Sequence, residues 1–184
     1  MFSFPVTSRV EKLCSHYGIE CERVRVGFKE ITKLMTGNDV LLGGEESGGI
    51  AFHDHIPERD GIWAGLTLMQ WIIETGKSIK DLISEVYSIT GPFYFERQDI
   101  HLNKNIRNKV IEFCNNGIFK QFGRFMVNKT EELDGFKMYL GSDQQWVMIR
   151  LSGTEPILRL YAEAENKETV LDILASVENV INRL

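Results

Sequence analysis

The dipeptide Gly91–Pro92 separates two stretches of chain that call for different folds. Proline has no N–H to extend a helix, and glycine before it releases the backbone from helical geometry. Ahead of it, apolar runs alternate with helical periods: a strand over 19–26, a short helix over 29–35 and a short buried strand over 40–42. Such alternation predicts a parallel sheet with crossover helices. Beyond it, strands dominate and their apolar residues repeat every second position. Leu158, Leu160, Ala162 and Ala164 share one strand face, and strands over 136–140 and 146–151 close a hairpin around "GSDQQ". The expectation is an α/β domain over residues 1–91 followed by an α+β domain over 92–184, with an antiparallel sheet and its helices on one face.

Helix boundaries carry their own signals. Ser8 and Glu11 have the spacing of a capping box, ahead of an apolar face of Val10, Leu13, Cys14 and Tyr17 that Gly18 ends. Asp60 caps a nearly all-apolar helix to Thr75; its run from Ile62 to Ile73 reads as buried. Ser78 and Asp81 cap a helix with a face of Ile79, Leu82, Ile83, Val86 and Tyr87. In the second half, a strand over 93–102 precedes a helix over 104–116 that turns Ile106, Val110, Phe113 and Cys114 inward, and a short strand spans 125–128. Asn166 caps the last helix, which runs to Leu184 and buries Val170, Leu171, Leu174, Val177 and Ile181. Little precedes the first helix, where a doubly wound domain carries further βα units, so the N-terminus is expected to be cut.

Composition limits the partners. The 184 residues carry a formal charge of -5, which disfavours nucleic acid, because phosphate backbones require a broad basic surface. No apolar run approaches the roughly 20 residues that cross a bilayer. Three cysteines, Cys14, Cys21 and Cys114, without C-x-x-C spacing point to reduced thiols in a cytoplasmic protein.

Two loops carry the chemistry. In "RLSGTEP", residues 150–156, Arg150 and Arg159 flank a segment with the hydroxyls of Ser152 and Thr154 and a glycine, Gly153, that lets backbone N–H groups turn inward. Arginine forks and clustered N–H groups suit phosphate; the competing reading is a polar turn whose arginines pair with acids such as Glu163. In "GGEESGG", residues 43–49, glycines surround Glu45, Glu46 and Ser47 just after a predicted strand, where α/β domains bind ligands. Carboxylates accept hydrogen bonds from sugar hydroxyls; the competing reading is a solvated glycine turn. Together the loops suit a phosphorylated sugar held across two domains. His53 and His55 lack ligand partners at metal spacing and fit a structural role in their loop.

"VGFK" at 26–29, "GGEESGG" at 43–49, "HIPERDG" at 55–61 and "RLSGTEP" at 150–156 resemble the α-D-phosphohexomutases, the phosphoglucomutase and phosphomannomutase enzymes. The resemblance spans nearly the whole chain. It implies a truncated third, sugar-recognising domain of a three-layer α/β type, and a fourth, TATA-binding-protein-like domain that binds phosphate. The family's phosphoserine and aspartate-rich magnesium loops belong to two further domains and have no match here. The chain is therefore expected to be the C-terminal portion of a mutase, inactive alone, with the missing N-terminal domains, magnesium and hexose 1,6-bisphosphate required by the whole enzyme. The alternative is a stand-alone sugar-phosphate-binding or regulatory module. By position, Glu45 and Ser47 should contact sugar hydroxyls, with Gly27 and Lys29 on a ligand-facing loop; Arg150, Ser152, Gly153 and Thr154 should hold the phosphate not being transferred, with Arg159 in support. Leu151 stands where the family often has Pro. Arg59 stands where it usually has Lys, in a position linked to proton transfer. Arginine stays protonated, so Arg59 can stabilise charge but is a poor acid or base, and no catalytic residue is expected in this chain. The loop form looks closer to glucose- and mannose-phosphate mutases than to the glucosamine-phosphate branch.

Overall fold

The computed structural model describes residues 1–152 and 157–184, in two units, Met1–Gly91 and Pro92–Leu184. In the first unit β1 (Phe2–Ser3) lies between β2 (Arg23–Val24) and β3 (Leu42–Gly44), parallel to both. β4 (Ile50–Phe52) turns back antiparallel on β3, giving the sheet order β2-β1-β3-β4. The strands are shorter than predicted: only Arg23–Val24 of the 19–26 segment pairs. β1, which the sequence reading omitted, is central. A two-residue strand is too short to show a period, although Phe2 and Phe4 on either side of Ser3 are both buried.

α1 (Arg9–His16) and α2 (Phe28–Gly37) are the crossover helices. The expected Ser8–Glu11 box does not form: Ser8 is already helical (φ -63°, ψ -12°) and makes no side-chain cap bond. Thr7 Oγ1 accepts from Arg9 N at 3.1 Å instead, and Glu11 pairs with Arg23 at 2.5 Å. Tyr17, placed on the apolar face by its spacing, is 62% exposed. α2 turns Phe28 and Ile31 into a small core with Val24 and Ala51. It can press on β3 because position 43 is glycine; a Cβ there would lie 2.3 Å from Ile31 Cγ2.

α3 (Gly61–Thr75) and α4 (Ile79–Thr90) begin as the sequence predicts. Asp60 accepts from Ile62 N and Trp63 N, and Ser78 and Asp81 exchange both bonds of a capping box. The burial expected of α3 is overturned, since none of its residues is buried and Ile62 and Ile73 are 80% and 76% exposed. On α4, Leu82 is buried while Ile79, Ile83 and Tyr87 are exposed. Arg9 and Lys12 both donate to the Thr90 carbonyl, at 3.1 and 3.2 Å, tying α1 to the negative end of α4.

The second unit is an antiparallel sheet in the order β5-β10-β9-β8-β7-β6. Its strands are β5 (Tyr94–His101), β6 (Gln121–Phe122), β7 (Phe125–Glu132), β8 (Phe136–Leu140), β9 (Trp146–Leu151) and β10 (Ile157–Ala164). β7 runs four residues past its predicted end, and β6 is an addition. α5 (Lys104–Asn115) and α6 (Lys167–Ile181) cover one sheet face, joining Val110, Cys114, Val170, Ile173, Leu174, Val177 and Ile181 to Leu158, Leu160, Ala162 and Ala164. The β10 alternation is as read. On α6, Ile173 takes the buried place expected of Leu171, which is exposed, and the helix ends at Ile181. Among the described residues no helix is long and apolar enough to cross a membrane.

Candidate functional site

The acid-glycine loop is the β3–β4 turn. Gly43 and Gly44 belong to β3, and Glu45 N donates to the Gly49 carbonyl at 3.0 Å, closing a tight turn at the carboxyl end of a parallel strand. The two acids point to different partners. Glu46 Oε2 accepts from the hydroxyl of buried Ser3 at 3.0 Å and so anchors the loop to β1. Glu45 Oε1 accepts from Gly27 N at 2.9 Å, and Oε2 faces Arg59 Nη1 at 3.4 Å. Gly27 has φ 121° and ψ 119°, a backbone shape that suits glycine, and it presents its N–H to the carboxylate at the start of α2.

Arg59 reaches Glu45 across Gly49, where a Cβ would stand 3.2 Å from Arg59 Cδ, and its guanidinium lies 5.6 Å from the Phe28 ring centroid. Gly27, Phe28, Lys29, Thr32, Lys33, Glu45, Glu58 and Arg59 line an open cleft of about 650 Å³. The structure thus brings together four residues singled out from the sequence: Gly27, Lys29, Glu45 and Arg59. Ser47, exposed in the turn, does not line that cleft. Lys33, one helical turn beyond Lys29, was missed; the i,i+4 spacing of two lysines on α2 was its available signal.

His55 and His53 have structural surroundings. His55 Nε2 lies 3.0 Å from Asp60 Oδ2, and its ring stacks on Trp63 at 4.4 Å. The N–H of Trp63 and then His55 hold the Asp60 carboxyl below its ordinary value. His53 sits between Asp39 and Asp54, at 3.0 and 3.1 Å.

In the second unit, Arg150 on β9 and Arg159 on β10 are direct cross-strand partners. Two like charges placed opposite each other are destabilising unless compensated. Arg150 Nε donates to Asp134 at 3.2 Å, and Arg159 lies 3.9 Å from Asp99. These two carboxylates flank the pair. The bond from Arg150 to Asp134 runs through Nε, and the Nη groups of the same guanidinium are further donors. Ser152 closes the strand end, its N–H donating to the Ile157 carbonyl at 3.2 Å. Gly153 and Thr154 lie outside the described residues. Arg107 of α5 donates to the Ser152 carbonyl at 3.3 Å and was missed, because 45 residues separate the two. A cavity of about 200 Å³ beneath Arg150 is lined by core side chains such as Val110, Ile149 and Leu158. Among the described residues no group of three His, Cys, Asp or Glu side chains could hold a metal ion.

One unit thus carries a nearly enclosed carboxylate at the edge of an open cleft, and the other a cross-strand arginine pair. The family model for the α/β/α domain III of phosphoglucomutase/phosphomannomutase matches residues 2–89, and that for the C-terminal domain matches 126–180. The chain belongs to the α-D-phosphohexomutase family. It is 32% identical over 166 residues to the phosphoglucosamine mutase of Natranaerobius thermophilus, covering 90% of this chain and 33% of that protein. It superposes on a Thermus thermophilus structure assigned as a phosphomannomutase with a TM-score of 0.79 and 27% identity, covering 98% of this chain and 36% of that one. The Aspergillus fumigatus N-acetylphosphoglucosamine mutase, solved with GlcNAc-6P and magnesium, shares the fold at a TM-score of 0.58 and 15% identity, over 98% of this chain and 40% of its own. The chain spans about a third of the length of the curated relatives it matches.

Proposed function

We propose that this chain supplies the sugar-hydroxyl and distal-phosphate contacts of a hexose-phosphate mutase, an enzyme that moves a phosphoryl group between O1 and O6 of a hexose. The observation that carries this reading is the Glu45 carboxylate, fixed by Gly27 N–H and Arg59 at the edge of an open cleft. Fixed acceptors cost little reorganisation when a polyol binds, so they orient the ring. Arg150, Ser152, Gly153 and Thr154, with Arg159, are assigned to the phosphate that stays in place, and Ser47, Gly27 and Lys29 to the sugar side. The cross-strand arginine pair supports the phosphate assignment. Arg59 remains protonated and stabilises negative charge near the cleft rather than moving a proton.

The described residues do not fit a metal ion, so no step is assigned to one in this chain. Phosphoryl donation and metal-assisted charge stabilisation belong to other parts of the whole enzyme. The amino group of glucosamine phosphate is as well supported a substrate feature as the hydroxyl of glucose or mannose phosphate, because relatives of both kinds match.

Titrating the chain with the 6-phosphates of glucose, mannose and glucosamine, read by ¹H–¹⁵N NMR, tests the reading. Shifts are expected at Gly27, Glu45 and the amides from 150 to 157. Shifts confined elsewhere would remove both assignments. The chain alone, given hexose 1-phosphate and hexose 1,6-bisphosphate, is expected to show no mutase turnover, and turnover would overturn the division of labour.

A further inference from the structure

α3 is an apolar helix with no buried residue, and Glu74 is its only charged one. A helix that is apolar all round is ordinarily covered. Its sides are not equivalent. Trp63 stacks on His55, and Trp63, Leu68 and Trp71 are 41%, 43% and 46% exposed. Ile62, Leu66, Met69 and Ile73 are 80%, 54%, 59% and 76% exposed. Steps of four, three and four residues put these last four in one stripe, the seam by which two helices pack knobs into holes. Gly65 borders the stripe, and a Cβ there would meet nothing within 4 Å.

The stripe is symmetric about its midpoint, between Thr67 and Leu68. Two copies of α3 laid antiparallel therefore match Ile62 with Ile73 and Leu66 with Met69, and a two-fold axis repeats each match. No charge lies in the seam to oppose the pairing. Antiparallel packing also brings the end that carries Glu74 to the partially positive start of the other helix, whereas parallel packing would set both Glu74 ends together. Side chains this exposed present roughly 500 Å² of apolar surface per copy, so the pair covers about 1,000 Å² in all, at the low end of specific interfaces.

We propose that the uncovered face of α3 takes a second copy of this chain, as an antiparallel two-fold helix pair along Ile62, Leu66, Met69 and Ile73. The modest area makes the dimer reversible, with a Kd of about 10–100 µM, so at about 1 µM the chain is a monomer with α3 uncovered.

Sedimentation velocity of the 184-residue chain tests the pairing. Monomer is expected at about 1 µM and mostly dimer at about 500 µM. Met69→Lys puts a charge in the middle of the seam and is expected to weaken association more than about tenfold, while its thermal melt at about 1 µM matches wild type. Direction is read by cysteine pairing, with the exposed Cys21 replaced in a Cys21→Ser background. Leu66→Cys mixed with Met69→Cys should give mainly the mixed disulfide under mild oxidation, because the antiparallel seam sets one position against the other. Monomer at about 500 µM, or a Met69→Lys chain that dimerises as wild type does, would overturn the proposal; the first result would leave the face to another chain, such as the rest of a mutase. A preference for the disulfide between two copies of Leu66→Cys would overturn it too. So would growth beyond a dimer, since a two-fold contact closes on itself.

Discussion

The Glu45 carboxylate and the Gly27 amide, 18 residues apart, are joined by a 2.9 Å hydrogen bond that fixes the acid of the β3–β4 turn to the start of α2. Glu45's side chain is only 6% exposed, and its other oxygen meets Arg59. Glu45→Ala leaves the Gly27 N–H without its acceptor and Arg59 without its carboxylate, at a cost of about 1–3 kcal/mol. Glu45→Gln keeps an oxygen for Gly27 and should cost less, while still weakening sugar-phosphate binding. Urea unfolding of the three proteins checks the order; equal stability of Ala and Gln variants would contradict it.

Gly43 is a packing requirement. Gly43→Ala puts a methyl 2.3 Å from Ile31 Cγ2, and Ile31 is fully buried between α2 and β3. The expected loss is about 1–3 kcal/mol from overpacking. A denaturation midpoint equal to wild type would show that α2 can shift without penalty.

The outer positions of α3 contribute little to the stability of this chain. Ile62→Lys and Ile73→Lys replace side chains that are 80% and 76% exposed. Their effect on unfolding should stay within about 0.5 kcal/mol. Binding of a hydrophobic dye to the native chain should fall, because the exposed apolar stripe is broken. A large loss of stability would mean that the helix is covered.

Asp99 gives stability a pH dependence. Arg97 donates to it from Nε at 2.8 Å and Nη2 at 2.6 Å, and holds its carboxyl below the usual carboxylate range. A folded value below the unfolded one of about 3.9 means the contribution is present above about pH 4 and is lost as pH falls through the folded value. With its side chain 31% exposed, screening keeps the effect small. Wild-type urea midpoints should drop more steeply than those of Asp99→Asn between about pH 5 and pH 3. Parallel slopes would remove Asp99 from the acid response.

Features set by neighbours in sequence were legible. Asp60, Ser78 with Asp81, and Asn166 were read as caps and all three make cap bonds. The alternation of β10 placed its four small and branched residues in the core. Ser8 misled because its backbone is already helical, which leaves Thr7 to accept the first N–H. β1 and β4 escaped notice because two or three residues carry no measurable period, and their pairing is decided by chain far away.

The same division applies to the site. "GGEESGG" and "RLSGTEP" point to carboxylates and cations on tight turns, since glycine admits the backbone shapes such turns need and proline fixes its own φ. They do not say that Glu45 turns to Gly27 and Arg59 while Glu46 turns to Ser3, nor that Arg107 meets Ser152. Sequence by itself determined the two-part plan, most helix starts and the residue types of both loops, all of which depend on contacts a few residues apart. Tertiary structure decided which acid is presented, which arginine supports which carbonyl, and that α3 is left uncovered. Those outcomes depend on strand register and helix docking, which bring residues tens of positions apart within bonding distance.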